Sequence, residues 1–237
     1  MSLYAIGDLH GCPDELDVLL EALTPGVGDT VVFLGDYVDR GPAVRRLVDR
    51  LLHLDREPFT SVFLRGNHED MLLGYLGIGG LHADVYLENG GGMTLASYGI
   101  PAGTGPGAAS RAVFPDEHVS FFQRCRMRHL APPFLFVHAG IRPGVGLDDQ
   151  SAEDLLWIRE EFFLRPHALP YTVVFGHTPS REARIDLPYR IGLDTGLVYG
   201  NKLSCLDVDG RRLVQVARGA RHTTIRDLAP AFAAAHV

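Results

Sequence analysis

The chain has 237 residues, of which 46 % are hydrophobic and 22 % charged, and its net charge is −7. That length and balance predict one soluble domain with a sizeable core, and the negative charge argues against a general nucleic-acid binder, which needs a basic face. No apolar run approaches the ~20 residues of a membrane span. Three cysteines without a C-x-x-C pair (Cys12, Cys125 and Cys205) suit a reducing cytoplasm and give no disulfide framework.

In chain order, Leu3 to Ile6 is a short apolar run closed by Gly7-Asp8-Leu9-His10-Gly11. It begins so early that no signal segment is expected. Asp14 to Leu23 then carries Leu16, Leu19, Leu20 and Leu23 at helical spacing. Val31 to Leu34 runs into Gly35-Asp36-Tyr37-Val38-Asp39-Arg40-Gly41. Val44, Leu47, Val48, Leu51 and Leu52 trace a second amphipathic helix after Pro42. Val62 to Leu64 leads to Arg65-Gly66-Asn67-His68-Glu69. From Asp8 to Asp36 is 28 residues and from Asp36 to Asn67 is 31, close to one βαβ unit each, which predicts parallel strands.

The rhythm breaks between residues 74 and 130. Gly79-Gly80 and Gly90-Gly91-Gly92 predict loops around a short helical piece, and Phe114 to Leu130 reads as helix. This glycine-rich insertion is either a rim over a site or an irregular surface lobe. Phe134 to Val137 and Val173 to Phe175 follow, ending in His138-Ala139-Gly140 and Gly176-His177-Thr178. Leu203 to Val216 alternates and turns at Asp209-Gly210, which predicts a β-hairpin over about 203–217. The alternation predicts an α/β fold in which five polar motifs converge at the carboxyl ends of strands.

Carboxylates, imidazoles and an amide brought to one point describe a metal site. Asp8 and Asp36 held together would repel each other, and burial would raise their pKa values unless cations compensated. Mixed oxygen and imidazole donors suit Mn²⁺, Fe or Zn²⁺ better than Ca²⁺ or Mg²⁺. Asp8, His10, Asp36, Asn67, His138 and His177 are too many donors for one ion with an open position, so two divalent ions sharing Asp36 is the economical arrangement. Each motif has a bland reading. Asn67 could be a helix N-cap, and His138 a satisfied core histidine. Five such coincidences at strand ends do not make a convincing alternative.

In order and wording, these motifs resemble the phosphoprotein phosphatases, the metal-dependent serine/threonine phosphatases, and most closely their short bacterial and phage members. The resemblance runs from about Ala5 to Gly200, and the segment Gly35 to Gly41 is its most specific part. It implies a sandwich of two mixed β-sheets flanked by helices. It also implies that Asp8, His10 and Asp36 hold one ion, while Asp36, Asn67, His138 and His177 hold the other, with Mn²⁺ expected ahead of an Fe/Zn pair. Arg40 and Arg65 match the arginines that grip phosphate. Arg159, in Trp157-Ile158-Arg159-Glu160, is a softer match to a third. His68 matches a general acid and Asp39 the carboxylate that orients it.

The activity so implied is hydrolysis of a phosphorylated protein or small phosphoester by water that the ions acidify, with no phospho-enzyme intermediate. The neighbouring symmetrical diadenosine tetraphosphatases share the metal motifs, but Asp39 and Arg65 side with the protein phosphatases. A non-catalytic interaction module would be expected to have lost a ligand or the acid. Purple acid phosphatase chemistry would need a tyrosine where Asp39 stands.

Overall fold

The computed structural model describes residues 1–54, 56–101 and 103–235. Two mixed sheets carry the fold. The first contains β1 (Leu3–Ile6), β2 (Thr30–Phe33) and β3 (Thr60–Phe63), mutually parallel. The second is built on β4 (Arg128–Ala131), β5 (Phe134–Val137), β6 (Thr172–Phe175), β7 (Arg184–Asp186) and β8 (Arg190–Gly192), in the order β4-β5-β6-β8-β7. Three further strands, β9 (Lys202–Asp207), β10 (Arg212–Ala217) and β11 (Thr224–Asp227), extend the first sheet to the order β11-β10-β9-β1-β2-β3.

Period-2 patterning decides which way each strand faces. Ala5, Val32 and Val62 join Phe134, Phe136, Val174 and Ile191 in the core between the sheets. Their neighbours Tyr4, Ile6, Val31 and Phe33 point the other way, onto α1 (Pro13–Leu23) and α2 (Val44–Leu54). On the outer side of the second sheet, Leu135, Val137, Val173 and Phe175 pack with Leu155, Ile158 and Phe162. Strands buried on both faces read as continuous apolar runs, which is why β1, β2, β5 and β6 stand out in the sequence.

After β3 comes α3 (Asn67–Tyr75), and the insertion then supplies α4 (Gly92–Ser97), α5 (Ala108–Arg111) and α6 (Asp116–Arg124). The helix expected from Phe114 to Leu130 is therefore much shorter. Cys125 turns extended (φ −55°, ψ 133°), and Arg128–Ala131 becomes an edge strand antiparallel to β5. The helices α7 (Ala152–Trp157) and α8 (Glu160–Leu164) lie between β5 and β6. The predicted hairpin is present as β9 and β10, while β11 and α9 (Ala229–Ala235) beyond it were not foreseen. Among the described residues no helix is long and apolar enough to cross a membrane.

Candidate metal centre and active site

Six strand ends meet at one place, three from each sheet. Asp8 and His10 follow β1, Asp36 follows β2 and Asn67 opens α3 after β3. From the second sheet, His138 follows β5, His177 follows β6 and Asp194 follows β8; all seven side chains are buried. The chain turns sharply there. His10 (φ 39°), Asp36 (54°), Asp39 (69°), Arg40 (64°) and His177 (63°) all have left-handed backbone, uncommon for residues other than glycine. Such conformations persist only where surrounding structure imposes them. Glu69 is part of that imposition: its carboxylate accepts the N–H groups of Asp36 (2.9 Å), Tyr37 (2.7 Å), Val38 (3.1 Å) and Gly66 (2.8 Å). At Gly66 any Cβ would run into Asp36 Oδ1, so this position must be glycine.

The donor atoms form two groups that share one residue. His10, Asp36 and His68 place one donor each within 4.8 Å of one another, and so do Asp36, His138 and His177. Hydrogen bonds fix the tautomers in the sense a metal needs. The Nδ1–H of His10 donates to the Val38 carbonyl (2.7 Å), leaving Nε2 as a lone pair 3.4 Å from Asp36 Oδ2. In the same way His138 Nδ1–H donates to the Leu34 carbonyl (2.8 Å). Its Nε2 then faces Asn67 Oδ1 at 3.0 Å and Asp36 Oδ1 at 3.4 Å. His177 Nδ1 lies 3.0 Å from the same amide oxygen, and its buried Nε2 has no hydrogen-bond partner among the described residues. The His138 Nε2 lone pair set against the Asn67 and Asp36 oxygens is repulsive until a cation lies between them, and the unpartnered His177 Nε2 adds a free donor atom, so these residues fit divalent ions.

Electrostatics agree. Burial, assisted by Asp194 and Asp36, pushes the Asp8 carboxyl well above the usual carboxylate range. Burial also lowers the His10 imidazole to about 3 and moves His138 and His177 down, so all three stay neutral and able to ligate. Burial opposes the charge on Asp36 too, but the surrounding imidazoles hold its carboxyl far below the ordinary value.

His68 behaves differently. Burial disfavours its protonation, yet Asp36 and a 2.6 Å hydrogen bond from Nδ1 to Asp39 Oδ2 outweigh that and raise its pKa. That upward shift, opposite to those of His10, His138 and His177, and the hydrogen bond to Asp39 separate His68 from its neighbours in the first donor group. Arg40 sends a guanidinium N–H to His10 Nε2 (2.9 Å), and Arg159 reaches the His177 carbonyl (3.4 Å), so both line the cluster. Arg65 is not brought there: it bonds Asp70 Oδ1 (3.3 Å) and the Gln123 carbonyl (3.0 Å).

Three contributors escaped the sequence reading. Asp194 is buried beside Asp8, and burial together with Asp36 pushes it up to about 6. Its signal is weaker than that of Gly7-Asp8 or Gly35-Asp36: in Gly192-Leu193-Asp194 a leucine separates glycine from carboxylate, and the strand has only three residues. Thr94 bonds Asp39 from 55 residues away. Tyr199, 62 % exposed, lies under the Arg40 guanidinium with 5.7 Å between Cζ and the ring centre.

The profile of the calcineurin-like phosphoesterases matches residues 1–200. The chain belongs to that family. Calcineurin-like phosphoesterases are metal-dependent hydrolases, and the shared-carboxylate cluster is where this member's divalent ions would sit. Among curated proteins, the chain is 25 % identical to a bis(5'-nucleosyl)-tetraphosphatase PrpE, named asymmetrical, from Bacillus cereus strain AH187, over 91 % of this chain and 94 % of that one. A solved structure described as a candidate diadenosine tetraphosphatase is 25 % identical, with a TM-score of 0.68 over 91 % of this chain and 93 % of the other. A cold-active protein tyrosine phosphatase shares the fold at 18 % identity, with a TM-score of 0.64 over 94 % and 78 % of the two chains.

Proposed function

We propose that this metallophosphoesterase hydrolyses dinucleoside polyphosphates, with phosphomonoesters as secondary substrates. The observation that carries the reading is the likeness, over nearly the full length of both chains, to a protein named as an asymmetrical tetraphosphatase. It displaces the serine/threonine protein phosphatase favoured by the motifs, and it differs from the symmetrical group weighed against that reading. Arg65, one of the two residues that argued for a protein phosphatase, is engaged with Asp70 and Gln123, which weakens that argument. The exposed Tyr199 ring beside Arg40 gives the phosphate grip an aromatic flank suited to a nucleoside.

The proposed roles are as follows. Asp8, His10 and Asp36 hold one ion, and Asp36, Asn67, His138 and His177 the other, with Mn²⁺ the first choice. When bound, the ions supply Lewis acidity that activates water and neutralises phosphate charge. Arg40 and Arg159 bind the phosphate oxygens through planar guanidinium groups. His68 gives its proton to the departing oxygen, and Asp39 keeps that imidazole charged and aimed. Asymmetrical cleavage of diadenosine tetraphosphate releases one mono- and one triphosphate. We assign no nucleic-acid or membrane partner.

The test is direct. The protein is incubated with Mn²⁺ and, separately, diadenosine tetraphosphate, a phosphoserine peptide and a phosphotyrosine peptide, and the products are separated by ion exchange. The tetraphosphate should turn over fastest, giving AMP and ATP. Faster release of phosphate from either peptide would return the protein-phosphatase reading to first place.

A further inference from the structure

The insertion between β3 and β4 touches the catalytic loop at two points. Thr94 on α4 is fully buried, accepts the Asp39 N–H at Oγ1 (2.8 Å) and donates its hydroxyl to Asp39 Oδ1 (2.6 Å). The other carboxylate oxygen, Oδ2, accepts from His68 Nδ1 at 2.6 Å. One residue further, the Arg40 N–H donates to the Gly90 carbonyl (3.2 Å). Gly90 has φ 94°, and a Cβ there would come within 2.8 Å of Arg40 Cγ, so the glycine is what lets the insertion approach so closely.

We propose that Thr94 is a positioning residue of the reaction: its hydroxyl fixes the rotation of the Asp39 carboxylate, and Asp39 thereby fixes the His68 imidazole. The inference rests on the reading of His68 as proton donor. A carboxylate has two equivalent oxygens and turns freely about its last bond unless both are held. With Oδ1 tied to Thr94, Oδ2 has one direction left, along the His68 Nδ1–H. That leaves Nε2 directed at the cluster, where it lies 3.9 Å from Asp36 Oδ2. The insertion is thus part of the acid's alignment and more than a rim around the site.

The experiment compares Thr94→Val, which keeps the shape and removes the hydroxyl, with Thr94→Ser, which keeps the hydroxyl. Phenyl phosphate leaves as a basic phenoxide that needs a proton, whereas p-nitrophenyl phosphate leaves as a stable anion. Thr94→Val should lose roughly tenfold on phenyl phosphate, the worth of one charge-assisted hydrogen bond, and much less on p-nitrophenyl phosphate. Thr94→Ser should restore most of it. Metal content should stay near the parent value, while the melting temperature of Thr94→Val falls because the buried Asp39 Oδ1 and N–H lose a partner, so rates are compared where every variant is folded. The Nδ1 proton resonance of His68 should be shifted downfield in the parent and lost or moved in Thr94→Val.

Added to Asp39→Asn, the Thr94→Val change should cost little more, because both act through one hydrogen-bond chain. If the valine variant does not fold, Thr94→Ala carries the same comparison. Equal losses on both esters, or a serine variant as impaired as valine, would overturn the proposal. His68→Asn is the control. If it lacks the leaving-group signature, the acid assignment has failed; if it shows the signature and Thr94→Val does not, the role given to Thr94 has failed.

Discussion

The strand ends and the insertion both act on the loop from Asp36 to Arg40, but they hold it by different means. The strand ends place Asp8, Asp36, His138 and His177 within a few residues of a buried strand, and the backbone at Asp36 and His177 is left-handed. The insertion reaches the same loop through a single threonine hydroxyl and a glycine carbonyl, across sequence separations of about fifty residues. Short-range structure places the atoms that hold charge. On the role proposed for His68, long-range structure aims the atom that moves a proton. Damage to the first region should therefore remove metal and turnover together, and damage to the second should impair turnover with metal intact.

Asp36→Asn should show the largest effect, because Asp36 is the one residue common to both donor groups. Metal content measured after dialysis should fall, and turnover should drop by about three decades or more, as several kcal/mol of transition-state stabilisation disappear. Retention of the parent metal content would break the assignment of a shared ligand.

His68→Asn comes next and sharpens the contrast, since it should keep its metal. Turnover of a phosphoserine ester, whose alkoxide is strongly basic, should fall by about two to four decades. The loss should be smaller on diadenosine tetraphosphate, where a phosphate departs. Loss of metal in this variant would move His68 from the acid to the ligands. Arg40→Ala should cost about two decades in kcat, comparable to removing one donor to a developing charge, with ion content unchanged. Unaltered kinetics would remove Arg40 from the phosphate grip.

Why some of this was legible in sequence and some was not follows from the same contrast. Asp8, His10, Asp36, His138 and His177 each sit at the end of an apolar run, so the sequence shows both the strand and the chemistry that follows it. The sandwich could be read only by resemblance, because nothing local states that Ala5 and Val32 face Phe136 across a second sheet. Phe114 to Leu130 misled because its apolar spacing continues past Arg124. Strand pairing with β5 takes residues 128–131 out of the helix, and that is a tertiary effect. Thr94 has no marker at all: its partner is 55 residues away. Arg65 shows the reverse case, a motif residue whose side chain bonds Asp70 and Gln123.

A smaller effect concerns pH. In the metal-free site Asp194 is pushed up to about 6, chiefly by burial, and Asp8 is raised as well. A raised carboxyl is neutral below its pKa, so the negative charge that Asp194 supplies is lost as pH falls through about 6, and Asp8 likewise loses its charge above the ordinary carboxylate range. The lowered pKa values of His10, His138 and His177 keep protons from competing there. Calorimetric titration with Mn²⁺ should show affinity nearly flat from pH 8 to 7 and weaker by roughly tenfold at about pH 5.5. Asp194→Asn should flatten the decline. An unchanged decline in that variant would locate the titrating group elsewhere.

The smallest effect is expected at Arg65, and it tests most sharply whether a motif or its surroundings decides a side chain's role. By resemblance Arg65 grips phosphate; by structure it is bound to Asp70, a buried carboxylate that also accepts the Leu81 N–H (2.6 Å), and to the carbonyl of Gln123. Replacing it with alanine leaves Asp70 under-partnered at the base of α3, which should lower stability by about 1–2 kcal/mol. The substrate loses nothing that Arg65 touches here. Arg65→Ala should therefore keep kcat within a few-fold of the parent on both diadenosine tetraphosphate and p-nitrophenyl phosphate, while its melting temperature falls. A loss in kcat as large as that of Arg40→Ala, at a temperature where the variant is fully folded, would show that the guanidinium leaves Asp70 and joins the phosphate during turnover.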